Sequence, residues 1–163
     1  MEINRIGFVG LGLMGSRMTK NLLSAGFSVI GHDLEQDKVN ALVKNGGRKV
    51  DAPDRIPALV DVIILSLPNS LVVNEVVRGS LRLFETGREG LILVDTTTAD
   101  PILSEELATQ LRKKGIEMLD ATLSGTSKMC AERDITVMVG GKEEIFKECG
   151  PIFAAIGKSA FYM

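Results

Sequence analysis

Three glycines near the start of the chain, Gly10, Gly12 and Gly15, stand in the spacing G-x-G-x-x-G within "GFVGLGLMGSRM". That spacing can hold a diphosphate: one glycine permits a sharp bend, the next lets the backbone approach the phosphates, and the third lets a helix pack close to a strand. Glycine also serves any tight turn, so the surroundings must decide. Asp33 closes "FSVIGHD", roughly 20 residues on, where an acidic side chain can accept hydrogen bonds from an adenosine ribose. Its carboxylate repels a 2'-phosphate and no arginine follows it directly, which predicts NAD in preference to NADP. Read alone, Asp33 fits equally well as a helix cap. Ser124 and Gly125, read alone, are a simple turn.

Strands and helices have to hold these groups in place. Short apolar runs recur at Ile6–Val9, Val29–Ile30, Val62–Leu67, Leu91–Val94, Ile116–Leu119 and Ile135–Val139. Several are continuously apolar, the pattern of parallel strands covered on both faces. Met14, Met18, Leu22 and Ala25 predict one face of a helix closed by Gly26. Gln36–Lys44 predicts a second helix, ended by Asn45, Gly46 and Gly47. "DPILSEELATQLRKKG" predicts a third, with Asp100 as its cap, Pro101 in the first position, Leu103, Leu107 and Leu111 on the buried face, and Lys113 and Lys114 at the negative end. The alternation predicts an α/β, Rossmann-type doubly wound, mainly parallel sheet with helices on both faces. The glycines then follow a strand, Arg5–Val9, and open a helix, whose unpaired N–H groups and dipole favour an anion.

At 163 residues the chain predicts one dinucleotide-binding domain over 1–163. With 45% hydrophobic and 25% charged residues, it has the composition of a globular protein, which argues against a disordered or fibrous chain. A formal net charge of -2 gives no electrostatic basis for nucleic acid or an anionic membrane as partner and leaves a small molecule. The single histidine, His32, and two cysteines, Cys130 and Cys149, supply no zinc-ligand cluster, so no metal is expected and the thiols read as free. No leader pattern opens the chain and no apolar run approaches the ~20 residues of a membrane span, which predicts a cytoplasmic protein.

The chain resembles the NAD(P)-binding domain of the β-hydroxyacid dehydrogenases, the family of 3-hydroxyisobutyrate dehydrogenase and 6-phosphogluconate dehydrogenase. The likeness runs through "GFVGLGLMGSRMTKNLLSAGFSV", "ILSLPNS" at 64–70, "LVDTTTADP" at 93–101 and "DATLSGT" at 120–126. It implies that Gly10, Gly12, Leu13, Met14, Gly15 and Asp33 hold the cofactor, with Leu67, Pro68 and Thr98 beside its ribose and nicotinamide. It further implies hydride transfer from a short β-hydroxyacid to nicotinamide, with Ser124 helping to bind the substrate together with Gly125 and Thr126. Thr96, Thr97 and Thr98 read alone are β-formers at a strand end. Met129 reads as packing, Cys130 as an inert thiol and Lys128 as a solvated charge.

The substrate loop departs from the common family form: Thr122 and Leu123 replace a usual proline and valine, and Thr126 replaces the second glycine. The resemblance places the proton-handling lysine on a helix after the nucleotide domain, which leads us to expect a part of a longer enzyme that binds cofactor without turnover. Lys158 belongs to the approach to the last strand and is not that base. The resemblance also implies a helical C-terminal domain and a full-length homo-oligomer. A stand-alone nucleotide-sensing domain, or the same fold serving imine reduction or sugar-acid decarboxylation, is the alternative.

Overall fold

A computed structural model of the chain describes residues 3–163. Strands β1 (Arg5–Val9), β2 (Ser28–His32), β3 (Arg48–Lys49), β4 (Val62–Leu65), β5 (Ile92–Asp95), β6 (Glu117–Ser124), β7 (Thr136–Gly140) and β8 (Ser159–Tyr162) form one sheet in the order β3-β2-β1-β4-β5-β6-β7-β8. Every neighbouring pair is parallel except β6 and β7. The chain moves outward from β1 through β2 to β3, then returns to place β4 on the other side of β1. The loops leaving β1 and β4 therefore diverge, and a crevice opens at the carboxyl ends of the strands, where ligands bind in folds of this kind.

Helix α1 (Leu13–Ser24) and α2 (Gln36–Lys44) lie on one face, where Phe8, Met18, Leu22, Val39, Leu42 and Phe153 share a buried cluster. On the other face, α3 (Ile56–Leu59), α4 (Ser70–Glu75), a π-helical turn at Val76–Ser80, α5 (Leu83–Thr86) and α6 (Pro101–Arg112) close the chain over the sheet. Ile56, Val73, Val77, Leu107 and Leu111 are in that second cluster. The remaining helices, α7 (Ser127–Ala131), α8 (Glu143–Glu148) and α9 (Gly150–Ile156), follow β6 and β7.

The predicted sheet and its three principal helices are present, with local differences. The Val62–Leu67 run leaves the sheet after Leu65: Ser66 N makes a last bond to β1, at Val9 O and 2.9 Å, and Leu67 N turns instead to the Thr97 hydroxyl. On α1, Met18 and Leu22 are buried and Met14 half-buried, but Ala25 is the exposed C-cap. On α6, Asp100 Oδ1 accepts from Ile102 N at 2.9 Å as a cap should, while Ser104 is buried and Leu103 only half-buried. No helix among the described residues is long and apolar enough to cross a membrane.

Candidate dinucleotide site

The first βα turn is shaped by two close backbone approaches. Gly10 has φ +94°, and a Cβ there would collide with the Ser66 carbonyl oxygen, so the bend and the neighbouring β4 loop exclude any side chain. A Cβ on Gly15 would collide with the carbonyl oxygen of Gly10, so α1 can sit this close to β1 only with glycine there. Gly12 differs: a Cβ on it would meet no protein atom within 4 Å. Nothing inside the protein requires glycine at this position, and the open space lies beside the helix N-terminus.

Gly12 is the N-cap of α1 and supplies no side-chain acceptor. The first intrahelical bond runs from Ser16 N to Gly12 O at 2.9 Å, so the N–H groups of Leu13, Met14 and Gly15 point out of the helix without partners inside it. This arrangement fits a diphosphate. Leu13 is 75% exposed and Leu34, beyond β2, is 94% exposed, so two apolar side chains stand at the rim.

Asp33 follows β2 beside this turn, since Gly10 N donates to His32 O at 3.0 Å. Its Oδ2 accepts from Leu11 N at 2.7 Å and its Oδ1 from Glu35 N at 2.9 Å. The carboxylate is thereby fixed against the glycine turn and retains lone pairs for a further donor. It is not the N-cap of α2, which is Glu35. His32 is half-buried, and burial lowers its pKa while Asp33 acts in the opposite direction.

Leu67 and Pro68 leave β4, and Thr98 leaves β5, at the same edge of the sheet. Leu67 is half-buried, whereas Pro68 and Thr98 are exposed. Ser124 ends β6 and Gly125 follows it with φ +146°. Thr126 is the N-cap of α7, and its hydroxyl accepts from Met129 N at 3.2 Å. All three are exposed. The predicted residues thus lie in loops at the carboxyl ends of β1, β2, β4, β5 and β6. Met129 is half-buried against the core and Lys128 exposed; Cys130 is fully buried, and burial raises its thiol pKa.

Three polar groups have roles that the sequence does not display, including Thr97, whose residue type reads only as a β-former. Asn21 Nδ2 donates to Cys130 O at 2.8 Å in the interior, which ties α1 to α7. Asp95 and Thr97 are buried beneath the loops after β4 and β5, where Thr97 Oγ1 accepts from Leu67 N at 3.1 Å. The only signal for Asp95 was a carboxylate ending an otherwise apolar strand, "LILVD". Burial pushes its carboxyl up to about 6, against the bonds from Thr97, with the Asp120 charge adding to the rise.

The family described as the NAD-binding domain of 6-phosphogluconate dehydrogenase matches residues 5–163. The chain is 33% identical over 159 residues to 2-(hydroxymethyl)glutarate dehydrogenase of Eubacterium barkeri, covering 98% of this chain and 53% of that protein. It is 32% identical to the mitochondrial 3-hydroxyisobutyrate dehydrogenase of Bos taurus, covering 96% of this chain and 47% of that one. Among solved structures, the 3-hydroxyisobutyrate dehydrogenase of Mycobacterium tuberculosis with L-serine superposes with a TM-score of 0.91 at 27% identity, over 98% of this chain and 54% of the other. The chain spans about half the length of the curated relatives it matches.

Proposed function

Because the chain belongs to the family of NAD-binding domains of the 6-phosphogluconate dehydrogenase type, we propose that it is the cofactor-binding part of an oxidoreductase acting on short β-hydroxyacids with NAD. The observation that carries this reading is the first βα turn: close packing requires glycine at Gly10 and Gly15, while Gly12 faces open space at an uncapped helix end. The N–H groups of Leu13, Met14 and Gly15 hold the diphosphate there. Asp33, already bonded to Leu11 N, accepts from the adenosine ribose and repels a 2'-phosphate.

A bound nicotinamide would supply a hydride acceptor for the carbon that bears the substrate hydroxyl. Leu67, Pro68 and Thr98 would border the cofactor's ribose and nicotinamide. Ser124 donates its hydroxyl, and Gly125 and Thr126 their N–H groups, to the substrate carboxylate. Thr126 spends its hydroxyl as an acceptor on Met129 N, so the side chain where the family usually has glycine narrows this site. That supports a hydroxyacid other than 3-hydroxyisobutyrate. The proton of the substrate hydroxyl is handled by a lysine outside residues 1–163, so these residues bind cofactor without turnover. The buried thiols of Cys130 and Cys149 accord with the reducing cytoplasm, and the whole enzyme is a homo-oligomer.

Calorimetry on the 163-residue chain tests the reading. NADH should bind about tenfold or more tightly than NADPH, the effect of setting a fixed carboxylate against a phosphate. Equal or reversed preference would remove the role given to Asp33, and no binding of either would remove the whole site.

A further inference from the structure

Asp95, Thr96 and Thr97 are 1%, 6% and 2% exposed, yet they connect two loops that reach the crevice. Asp95 closes β5 in register with Leu65 of β4 and Asp120 of β6. Its Oδ1 accepts from Thr97 N at 3.0 Å, which folds the chain back toward β4 immediately after the strand. Thr96 then gives both its N–H, at 2.9 Å, and its hydroxyl, at 2.7 Å, to Leu65 O. The Thr97 hydroxyl accepts from Leu67 N at 3.1 Å. A relay therefore runs from the Leu67 amide to the Thr97 hydroxyl and from the Thr97 amide to a buried carboxyl, and it stitches the β4 loop to the β5 loop.

A carboxyl at this position is costly, because its neighbours Ile92, Leu93 and Val94 are buried and its Oδ2 has no hydrogen-bond partner among the described residues. Capping the strand end alone would not need it, since a serine or asparagine closes such a turn without burying an ionisable group. The carboxyl accepts from Thr97 N and so fixes the turn of backbone that presents the Thr97 Oγ1 to Leu67 N. None of the three residues faces solvent, whereas of the loop residues that they fix Leu67 is half-buried and Pro68 and Thr98 are exposed.

We propose that Asp95 and Thr97 are positioning residues for the nicotinamide half of the dinucleotide, acting by holding the Leu67–Pro68 and Thr98 walls in their binding shape. This rests on the reading of the glycine turn given above. The two halves of the ligand then depend on different parts of the protein: the adenosine diphosphate half on the glycine turn and Asp33, the nicotinamide half on the relay. Thr97→Val keeps the volume and removes the acceptor for Leu67 N, while Thr97→Ser keeps the acceptor.

The test compares NADH with ADP-ribose, which lacks the nicotinamide, by calorimetry on the 163-residue chain. Thr97→Val should weaken NADH about tenfold and leave ADP-ribose within about twofold, and Thr97→Ser should bind both as the unaltered chain does. Equal weakening of both ligands would show a general packing role, and an unchanged NADH affinity would show no role; either overturns the proposal. If Thr97→Val does not fold, amide hydrogen exchange in the unaltered chain decides. The Leu67 N–H should exchange more slowly with NADH than with ADP-ribose, and equal protection by the two ligands overturns the proposal. A chain that binds neither ligand would instead remove the reading of the glycine turn itself.

Discussion

At the scale of single residues, the site depends on carboxylates in opposite situations. Asp33 sits at the surface of the crevice, held by two backbone N–H donors. Asp95 lies in the interior, where burial raises its carboxyl from 3.8 to about 6. The folded chain therefore holds this proton more tightly than the unfolded chain does. The resulting stability is fully present below about pH 4 and is lost as the pH rises through about 6. Asp120 is displaced in the same direction, chiefly by burial. Thermal melts between pH 4 and 7.5 should show the unaltered chain losing about 3 kcal/mol from Asp95 over this interval. Asp95→Asn, which carries no titrating group, should show a correspondingly flatter profile; an unchanged slope would mean that the proton resides elsewhere.

At the scale of elements, the first βα unit separates folding from binding within six residues. Gly15 allows α1 to pack on β1, whereas Gly12 borders only open space. Gly15→Ala should therefore lower stability by about 1–3 kcal/mol as well as weaken NADH binding, since the helix must shift off the strand. Gly12→Ala should melt close to the unaltered chain and yet bind NADH about tenfold or more weakly, because the new methyl occupies the approach to the diphosphate. Equal behaviour of the two variants in melts and titrations would contradict the packing described for this turn. Elsewhere, local preference and tertiary demand conflict. The segment "SLVVNEVV" is rich in β-branched residues, yet it is helical because Val73 and Val77, one turn apart, bury together against the second face of the sheet.

At the scale of the whole molecule, the two edges of the sheet divide the work. The carboxyl edge carries the loops of the crevice. The amino edge is held by Asp61, 5% exposed, whose Oδ2 accepts from Asn4 N and Arg5 N while Oδ1 pairs with Arg5 at 2.6 Å. Burial pushes this carboxyl up, but the hydrogen bonds and charge of Arg5 with the N–H of Asn4 outweigh it, and its pKa is lowered. Its contribution is therefore present above about pH 4 and is lost as the pH falls through the lowered value. Asp61→Ala leaves two backbone donors without their acceptor and should cost about 2 kcal/mol in denaturant melts. NADH affinity should stay within about twofold, because the crevice lies at the other edge; a large loss of affinity would show that the two edges are not independent.

The sequence by itself determined the alternating parallel architecture, the glycine turn after β1, the acidic residue after β2 and the cap of α6, because each follows from periodicity, a special backbone conformation or a local hydrogen bond. The loops after β4, β5 and β6 were legible only through resemblance, as their residues read alone are turn and strand formers. Tertiary structure alone decided that Gly12 faces open space while Gly15 is needed for packing. It also decided that Asp33 is pinned to Leu11 N, and that Thr97, its backbone held by Asp95, reaches across to Leu67. Thr97 and Leu67 are 30 residues apart in the chain. Contacts of that separation depend on which strands become neighbours, and no local preference of either residue carries that information.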